Sequence, residues 1–425
     1  MNSPQSIDFG IAGPPSKEAS FVVELSRHSG FWIVGCGVIA LVLKMVISLN
    51  ALGTNDVQSF YVFGHSLSEH GLQWTYAHYK SFNHPPLVAY FLRAIYTLSN
   101  IPLFQQNGFT FPFLLRFPGI IADFIVVLLL LQFRTEFSLP TSSLMVLALS
   151  PVTLMVSGFH GNTDSVMIMF LVLAACMCLR ERSILCGLFL ALSCQIKIIP
   201  LLLLPIFACF WYSRRATLRF FVPFAAACIL LCLVPVITFP VSFIKNVVAY
   251  GSIWGLWGIS FWLRLTGIRD FCLVDYHDLT LAENIVGTAL KALIVAGVIV
   301  LAWRRRNLSG YELYKSIAYA WIVFFLLTPG AAAQYMAWMV PFVILLSPTM
   351  FVCLTLSSSV FLFVFYNTLA GKFPWYLAVS TPALADRIAP WALWPWAVLI
   401  CIIALSWKRA LQDPSSSLQP SNVAF

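Results

Sequence analysis

Long apolar runs that stop at basic clusters govern what this chain can fold into. Arg134, Arg180 with Arg182, Arg214 with Arg215 and Arg219, Arg304 to Arg306, and Lys408 with Arg409 each abut such a run. A run of about 20 apolar residues is the length of a membrane-crossing helix. A soluble domain carries about 25% charged residues. This chain carries 10%, with 60% hydrophobic residues and a mean hydropathy of +0.87. A transmembrane β-barrel would instead show alternating runs of about ten residues. The expected fold is an all-α polytopic membrane protein.

The net charge of +9 does not point to nucleic acid. The basic residues punctuate the apolar runs and form no single patch, so they read as the positive-inside signal, with the lipid bilayer as partner. The 11 Cys residues lie mostly inside apolar runs, as at Cys176, Cys178, Cys186, Cys194, Cys228 and Cys232. They show no CxxC or Cys/His spacing and read as small packing residues. No metal or other cofactor is expected.

Placing all five clusters in the cytosol fixes a topology. A span at about 31–49 runs outward and one at about 113–133 returns to Arg134, which makes residues 50–112 a long external first loop. The apolar stretch 87–99 is short and carries Arg93, so it reads as a helix on or dipping into the outer leaflet. Spans follow at about 139–157 and 165–179. The run 184–212 begins and ends at cytosolic clusters but is too short for two full crossings. It reads as a hairpin with Lys197 at its tip, inside the membrane, beside Gln195 and Pro200. A second external segment, 239–283, has aromatic residues over 250–262 followed by Arg264, Arg269, Asp270, Asp275, His277 and Asp278. Further spans are expected at about 220–238, 284–303, 314–328, 337–348, 350–366 and 391–407.

The first external loop holds the densest set of polar and aromatic groups: Asp56, His65, Glu69, His70, Trp74, Tyr76, His78, Tyr79, Lys80 and His84. Asp56 is the first carboxylate after the first span. It suits a general base, which must be ionised and within hydrogen-bond reach of a hydroxyl. It equally suits an N-cap for a helix over 57–70. His84-Pro85-Pro86 is a rigid extended turn or a helix start. In the turn around His160-Gly161-Asn162-Thr163-Asp164, the polar residues either line a pocket or cap the next span. A lone Lys197 in the membrane is costly, so it pairs with an acid or with a ligand phosphate. Lys44 can snorkel. Gln334-Tyr335 and Arg116 also read as interface anchors.

The order of these pieces resembles the GT-C superfamily of polyprenyl-phosphate-sugar-dependent glycosyltransferases. Asn55-Asp56 matches its acidic loop motif. Asn83-His84-Pro85-Pro86-Leu87-Val88-Ala89-Tyr90 is similar to the Tyr-Pro-Pro-Leu-Thr-Ala-Tyr of ER glucosyltransferases that extend dolichol-linked glycans. His160-Gly161-Asn162 sits where those enzymes have His-Phe-Gln-Tyr-Asn. Gln334-Tyr335-Met336-Ala337-Trp338 looks like the Gln-Tyr-Phe-x-Trp of the first GPI mannosyltransferase. Many members carry a second acid beside the first; here Asn55 takes that place, which argues against a metal-dependent mechanism.

The resemblance implies a GT-C-like bundle of about ten to twelve transmembrane helices. It implies transfer of a hexose, mannose or glucose, from a polyprenyl-phosphate sugar to a glycan, lipid or protein acceptor outside the cytoplasm. Asp56 would be the base. Lys197 and Arg116, with His84, Gln334 and Tyr335, would receive the donor phosphate. His160, Asn162, Asp164, Trp74 and Tyr76 would line the pocket, with Trp254 among the aromatics available to stack on sugar. The layout is then a cytosolic tail over 1–30, a catalytic membrane module over 31–345, further transmembrane helices over 346–410 and a disordered cytosolic tail over 411–425. A bacterial cytoplasmic membrane fits best, and an ER membrane is compatible. The competing class is a multi-pass transporter or lipid-linked-sugar flippase, which also places polar groups near the midplane. Against it stand the lack of two-fold internal similarity and the concentration of polar residues in external loops.

Overall fold

The computed structural model describes residues 17–248, 254–271, 279–379, 381 and 384–412. The terminal residues 1–16 and 413–425, for which tails are expected, lie outside the described residues, as do 250–253 of the aromatic stretch and 272–278 with Asp275, His277 and Asp278.

The described chain is helical almost throughout. Helix α1 (Lys17–Asn50) begins well before the expected start of the first span, inside the expected tail. A two-residue strand β1 (Gly53–Thr54) leads into α2 (Asn55–Glu69), α3 (Gly71–His78), α4 (Pro86–Ser99) and α5 (Pro102–Gln106), which together build the first loop. Pro86 opens α4 because its fixed φ suits the first turn and its missing N–H costs nothing there. Helix α6 (Phe111–Gln132) returns to Arg134. Then come α7 (Thr141–Ala148), α8 (Pro151–Thr153), a π-helical turn Leu154–His160 and α9 (Asp164–Leu179).

The run around Lys197 is broken as the sequence suggests. Helix α10 (Ser183–Ile196) ends where Lys197 adopts an extended backbone. A 3-10 turn Ile199–Leu203 containing Pro200 follows, and α11 (Leu204–Ser213) resumes the helix. After these come α12 (Thr217–Thr238), α13 (Pro240–Phe243), α14 (Gly258–Leu265), α15 (Leu281–Arg304) and α16 (Gly310–Leu327). Thr280 and Glu283 form a reciprocal capping box at the start of α15.

The span expected near 337–348 is corrected. That segment is a 3-10 turn Ala333–Trp338 followed by the four-residue α17 (Val340–Val343), with Pro341 in the first turn of α17 opposing one continuous helix through the segment. Its residues Trp338 to Leu345 are buried by neighbouring helices, which is where irregular backbone is tolerated in a membrane protein. Helix α18 (Pro348–Ala370), a strand β2 (Leu377–Ala378) and α19 (Ala385–Gln412) complete the chain.

Seven helices among the described residues are long and apolar enough to cross a membrane, and three shorter apolar ones, Asp164–Leu179, Ser183–Ile196 and Ile199–Ser213, lie among them. Outward-facing side chains such as Leu218, Leu230 and Ile237 on α12 are apolar and exposed, the surface that a hydrocarbon solvent requires. The protein is an all-α polytopic membrane protein.

The basic clusters at Arg134, Arg180, Arg214 and the turn after Arg304 gather at one end of the bundle. Arg134 donates to Ser29 Oγ at 2.5 Å, near the start of the apolar part of α1. Arg214 donates to the Leu308 carbonyl at 3.0 Å, in the turn between α15 and α16. The opposite helix ends carry the C-terminus of α1, the N-terminus of α9, the break at Lys197 and the C-terminal end of α18. Strands β1 and β2 pair in parallel there, Gly53 with Leu377 and Thr54 with Ala378.

Candidate active site

Asp56 lies in the first turn of α2, but it is not the cap. Thr54 fills that role: its hydroxyl oxygen accepts from the Asp56 N–H at 3.3 Å. The Asp56 carboxylate is thereby free to turn away from its own helix and toward others. His160 Nε2 meets its Oδ2 at 3.1 Å, Asn162 Nδ2 donates to the same oxygen at 3.1 Å, and Gln334 Nε2 reaches it at 3.4 Å. All three converge on Oδ2, while the carboxylate as a whole stays about one-third exposed, at 34%. Burial pushes the Asp56 carboxyl up. The hydrogen bond and electrostatic pull of His160, with help from Lys197 and Asn162, outweigh that and hold it below the usual carboxylate range.

The turn that supplies His160 and Asn162 is shaped by two glycines with left-handed backbone. A Cβ on Gly161, at φ +83°, would lie 2.4 Å from Val57 Cγ2. One on Gly53, at φ +103°, would lie 2.1 Å from an Arg116 nitrogen and 2.7 Å from the Phe159 carbonyl. Only glycine permits both the conformation and the approach. Thr54 Oγ1 also donates to the His160 carbonyl at 2.9 Å, which joins the turn to the strand before α2.

A second centre forms around Asp164, in the first turn of α9. Its Oδ1 accepts from Lys197 Nζ at 2.7 Å and from Trp338 Nε1 at 2.7 Å. Lys197 also lies over the rings of Tyr335 and Trp338, at 4.9 and 5.7 Å, and those two rings stack 4.0 Å apart. The cap reading of this turn is set aside. Thr163 is the N-cap of α9 without a side-chain bond, and Asp164 points to Lys197. Asp164 Oδ2 is buried without a hydrogen-bond partner among the described residues.

His84 lies just before α4, where the Tyr76 hydroxyl donates to its carbonyl and its ring meets the Ile196 backbone. Burial and then the charge of Lys197 push its imidazole down to about 3, against a weaker opposing pull from Asp56, so the ring is neutral. His84 Nδ1 has no hydrogen-bond partner among the described residues.

Other expected site residues are placed elsewhere. Arg116 is fully buried and donates to the carbonyls of Ser48, Ala51 and Leu52. It closes the C-terminal end of α1, where a cation complements unpaired carbonyls and the helix dipole. These contacts engage both its terminal nitrogens and give no support to a phosphate role. Tyr76 is buried among Phe82, Phe239 and Phe243 and supports the loop, presenting no ring face to sugar. Trp74 stacks on His78 at 3.9 Å within its own helix, and Trp254 is buried against Phe271. Lys44 does not snorkel: it pairs with Asp123 at 2.6 Å, and Ser157 donates to the same Asp123 oxygen at 2.6 Å.

The sequence reading missed Tyr366, whose hydroxyl lies 3.0 Å from His160 Nδ1. It also missed Asp123, although a lone acid within an apolar span calls for a partner, and Lys44 was available. Among the described residues, no three His, Cys, Asp or Glu side chains gather as a metal site.

Residues 82–329, more than half of the chain, match the model of Glycosyltransferase family 87. The chain belongs to glycosyltransferase family 87. Family 87 comprises GT-C-type membrane enzymes, so this protein is a membrane glycosyltransferase, and the transporter reading is set aside. The family 87 match covers His84, His160, Asn162, Asp164 and Lys197, while Asp56, Gln334, Trp338 and Tyr366 lie on either side of it. No curated protein matches the chain.

Proposed function

We propose that this family 87 enzyme transfers a hexose, mannose or glucose, from a polyprenyl-phosphate sugar to a hydroxyl of a glycan, lipid or protein acceptor on the extracytoplasmic face. Asp56 is the general base. The observation that carries this reading is the one-sided solvation of Asp56: three donors hold Oδ2 and leave Oδ1 to an incoming hydroxyl. A base so held is ionised and aimed, as proton abstraction in the transition state requires.

In the step itself, the acceptor hydroxyl gives its proton to Asp56 Oδ1 as its oxygen bonds to the anomeric carbon. The bond from that carbon to the phosphate oxygen breaks, and its electron pair leaves with the lipid phosphate. Attack opposite the leaving group inverts the anomeric centre. The departing phosphate gains charge, and Lys197 is the cation beside Asp56 to receive it. Asp164 and neutral His84, whose Oδ2 and Nδ1 are buried without a hydrogen-bond partner among the described residues, form the wall of the pocket behind Lys197. The cluster sits at the end of the bundle remote from the basic clusters, which supports an extracytoplasmic reaction under the positive-inside rule. A bacterial cytoplasmic membrane is the proposed location.

The test is incubation of the purified protein in nanodiscs with a panel of polyprenyl-phosphate sugars and nucleotide sugars, each with glycan, lipid and peptide acceptors. Release of polyprenyl phosphate with one hexose donor is the expected result. Transfer from a nucleotide sugar with none from any lipid-linked donor would overturn the donor class.

A further inference from the structure

Tyr366 belongs to a part of the chain that the family match does not reach and that the sequence assigns outside the catalytic module. It is fully buried near the C-terminal end of α18, and its ring packs against Phe159 and Trp375 at 5.2 and 5.4 Å. Its hydroxyl meets His160 Nδ1 at 3.0 Å, and His160 Nε2 meets Asp56 Oδ2 at 3.1 Å.

These two contacts constrain where the protons lie. Asp56 is a carboxylate and accepts only, so His160 Nε2 carries the hydrogen. With Nε2–H committed to Asp56, Nδ1 accepts from the Tyr366 O–H in the imidazole and donates to the Tyr366 oxygen in the imidazolium, so the hydroxyl holds the ring in either state. Among the described residues this is the hydrogen bond that Tyr366 makes. In the opposite tautomer, His160 would turn a lone pair toward Asp56 Oδ2, replacing an attraction by a repulsion.

We propose that Tyr366 is a positioning residue that acts through His160. By its hydrogen bond to Nδ1, it holds the imidazole so that Nε2–H orients the Asp56 carboxylate, and α18 thus completes the catalytic unit beyond residue 345. The inference rests on Asp56 being the base. Further geometry ties the two ends together. Gly53 N–H donates to the Tyr376 carbonyl at 3.0 Å, and Thr54, which caps α2, pairs with Ala378 just beyond α18. The strand that sets Asp56 and the helix that sets Tyr366 are thus joined by their backbones.

A double-mutant cycle tests this, with purified variants in nanodiscs and the hexose donor that supports transfer. Tyr366→Phe keeps the ring and removes the hydroxyl. It should lower kcat about tenfold, the scale of one hydrogen bond near a charge, with the donor KM little changed. In a His160→Gln background, the amide N–H reaches Asp56 with no imidazole ring left to hold, so Tyr366→Phe should cost nothing further. A merely structural tyrosine would cost the same factor in both backgrounds, and that result would overturn the proposal. If Tyr366→Phe fails to accumulate, 4-aminophenylalanine at position 366 restores a donor on the same ring. Wild-type kcat in that variant supports the proposal, and a tenfold loss contradicts it. Asp56→Asn is assayed alongside. If it is inactive while Tyr366→Phe matches wild type, only the positioning role fails; if it is fully active, the base reading itself is wrong.

Discussion

Lys197 donates to Asp164 at 2.7 Å from a break between two helices, and the pair lies against the stacked rings of Tyr335 and Trp338. The sequence left two partners open for this lysine, an acid or a phosphate, and the structure supplies the acid. The two roles are compatible. Asp164 is fully buried, whereas Lys197 retains 14% exposure, so the ammonium holds one partner and keeps a surface open to another.

Removing one member of a buried pair leaves an uncompensated charge and costs about 3–5 kcal/mol. Lys197→Met alone should therefore lower the melting temperature in nanodiscs and weaken donor binding. The double variant Lys197→Met with Asp164→Asn should recover most of the melting temperature but not the donor affinity. Recovery of both would show that Lys197 serves only the fold.

For Arg116 the expected outcome is the reverse. It caps the end of α1 beneath β1, and its loss leaves two buried carbonyls and a part-buried third short of a donor. Arg116→Gln should reduce accumulation and melting temperature sharply, by the few kcal/mol typical of a broken buried network. Whatever protein folds should bind the lipid-linked donor with nearly wild-type affinity. A stable Arg116→Gln protein that has lost donor binding would return this residue to the phosphate site.

His84 predicts a pH effect on stability. An unfolded histidine protonates near 6.5, whereas burial and Lys197 hold the folded group down to about 3. Above 6.5 both states are neutral and stability is full. As pH falls from 6.5 toward 3, the unfolded chain binds a proton that the folded one refuses, and stability is lost at about 1.4 kcal/mol per pH unit. His84→Asn cannot titrate, so the melting-temperature gap between wild type and variant should narrow from pH 7.5 to 4.5. A constant gap would mean that His84 accepts the proton in the folded state.

The helical class was legible because apolar length and basic punctuation are local properties of the sequence. Asp56 was legible as the first acid after a span, and Lys197 as a cation that hydrocarbon penalises. His160 and Gln334 were marked by their motifs, but their convergence on Asp56 was not legible, since they reach it from elements distant in sequence, and no local pattern marks Tyr366. Tyr366 in particular sits in an apolar run where a tyrosine reads as packing. Arg116 misled for a related reason. An arginine at the outer end of a span looks like an interface anchor or phosphate ligand until the carbonyls of a preceding helix are seen to surround it. The span expected near 337–348 failed because hydropathy measures greasiness, and this segment is buried by protein as a 3-10 turn and a short helix.

The central claim is that Asp56 takes the proton from the acceptor. Asp56→Asn keeps the shape, and Thr54 caps α2 in either case, so the fold and donor binding should survive. The measurement is single-turnover release of polyprenyl phosphate by Asp56→Asn in nanodiscs, with donor and acceptor both saturating. The account predicts a rate about 10²–10⁴-fold below wild type, the usual contribution of a general base, which is about 3–5 kcal/mol of barrier. A wild-type rate in that variant would contradict it.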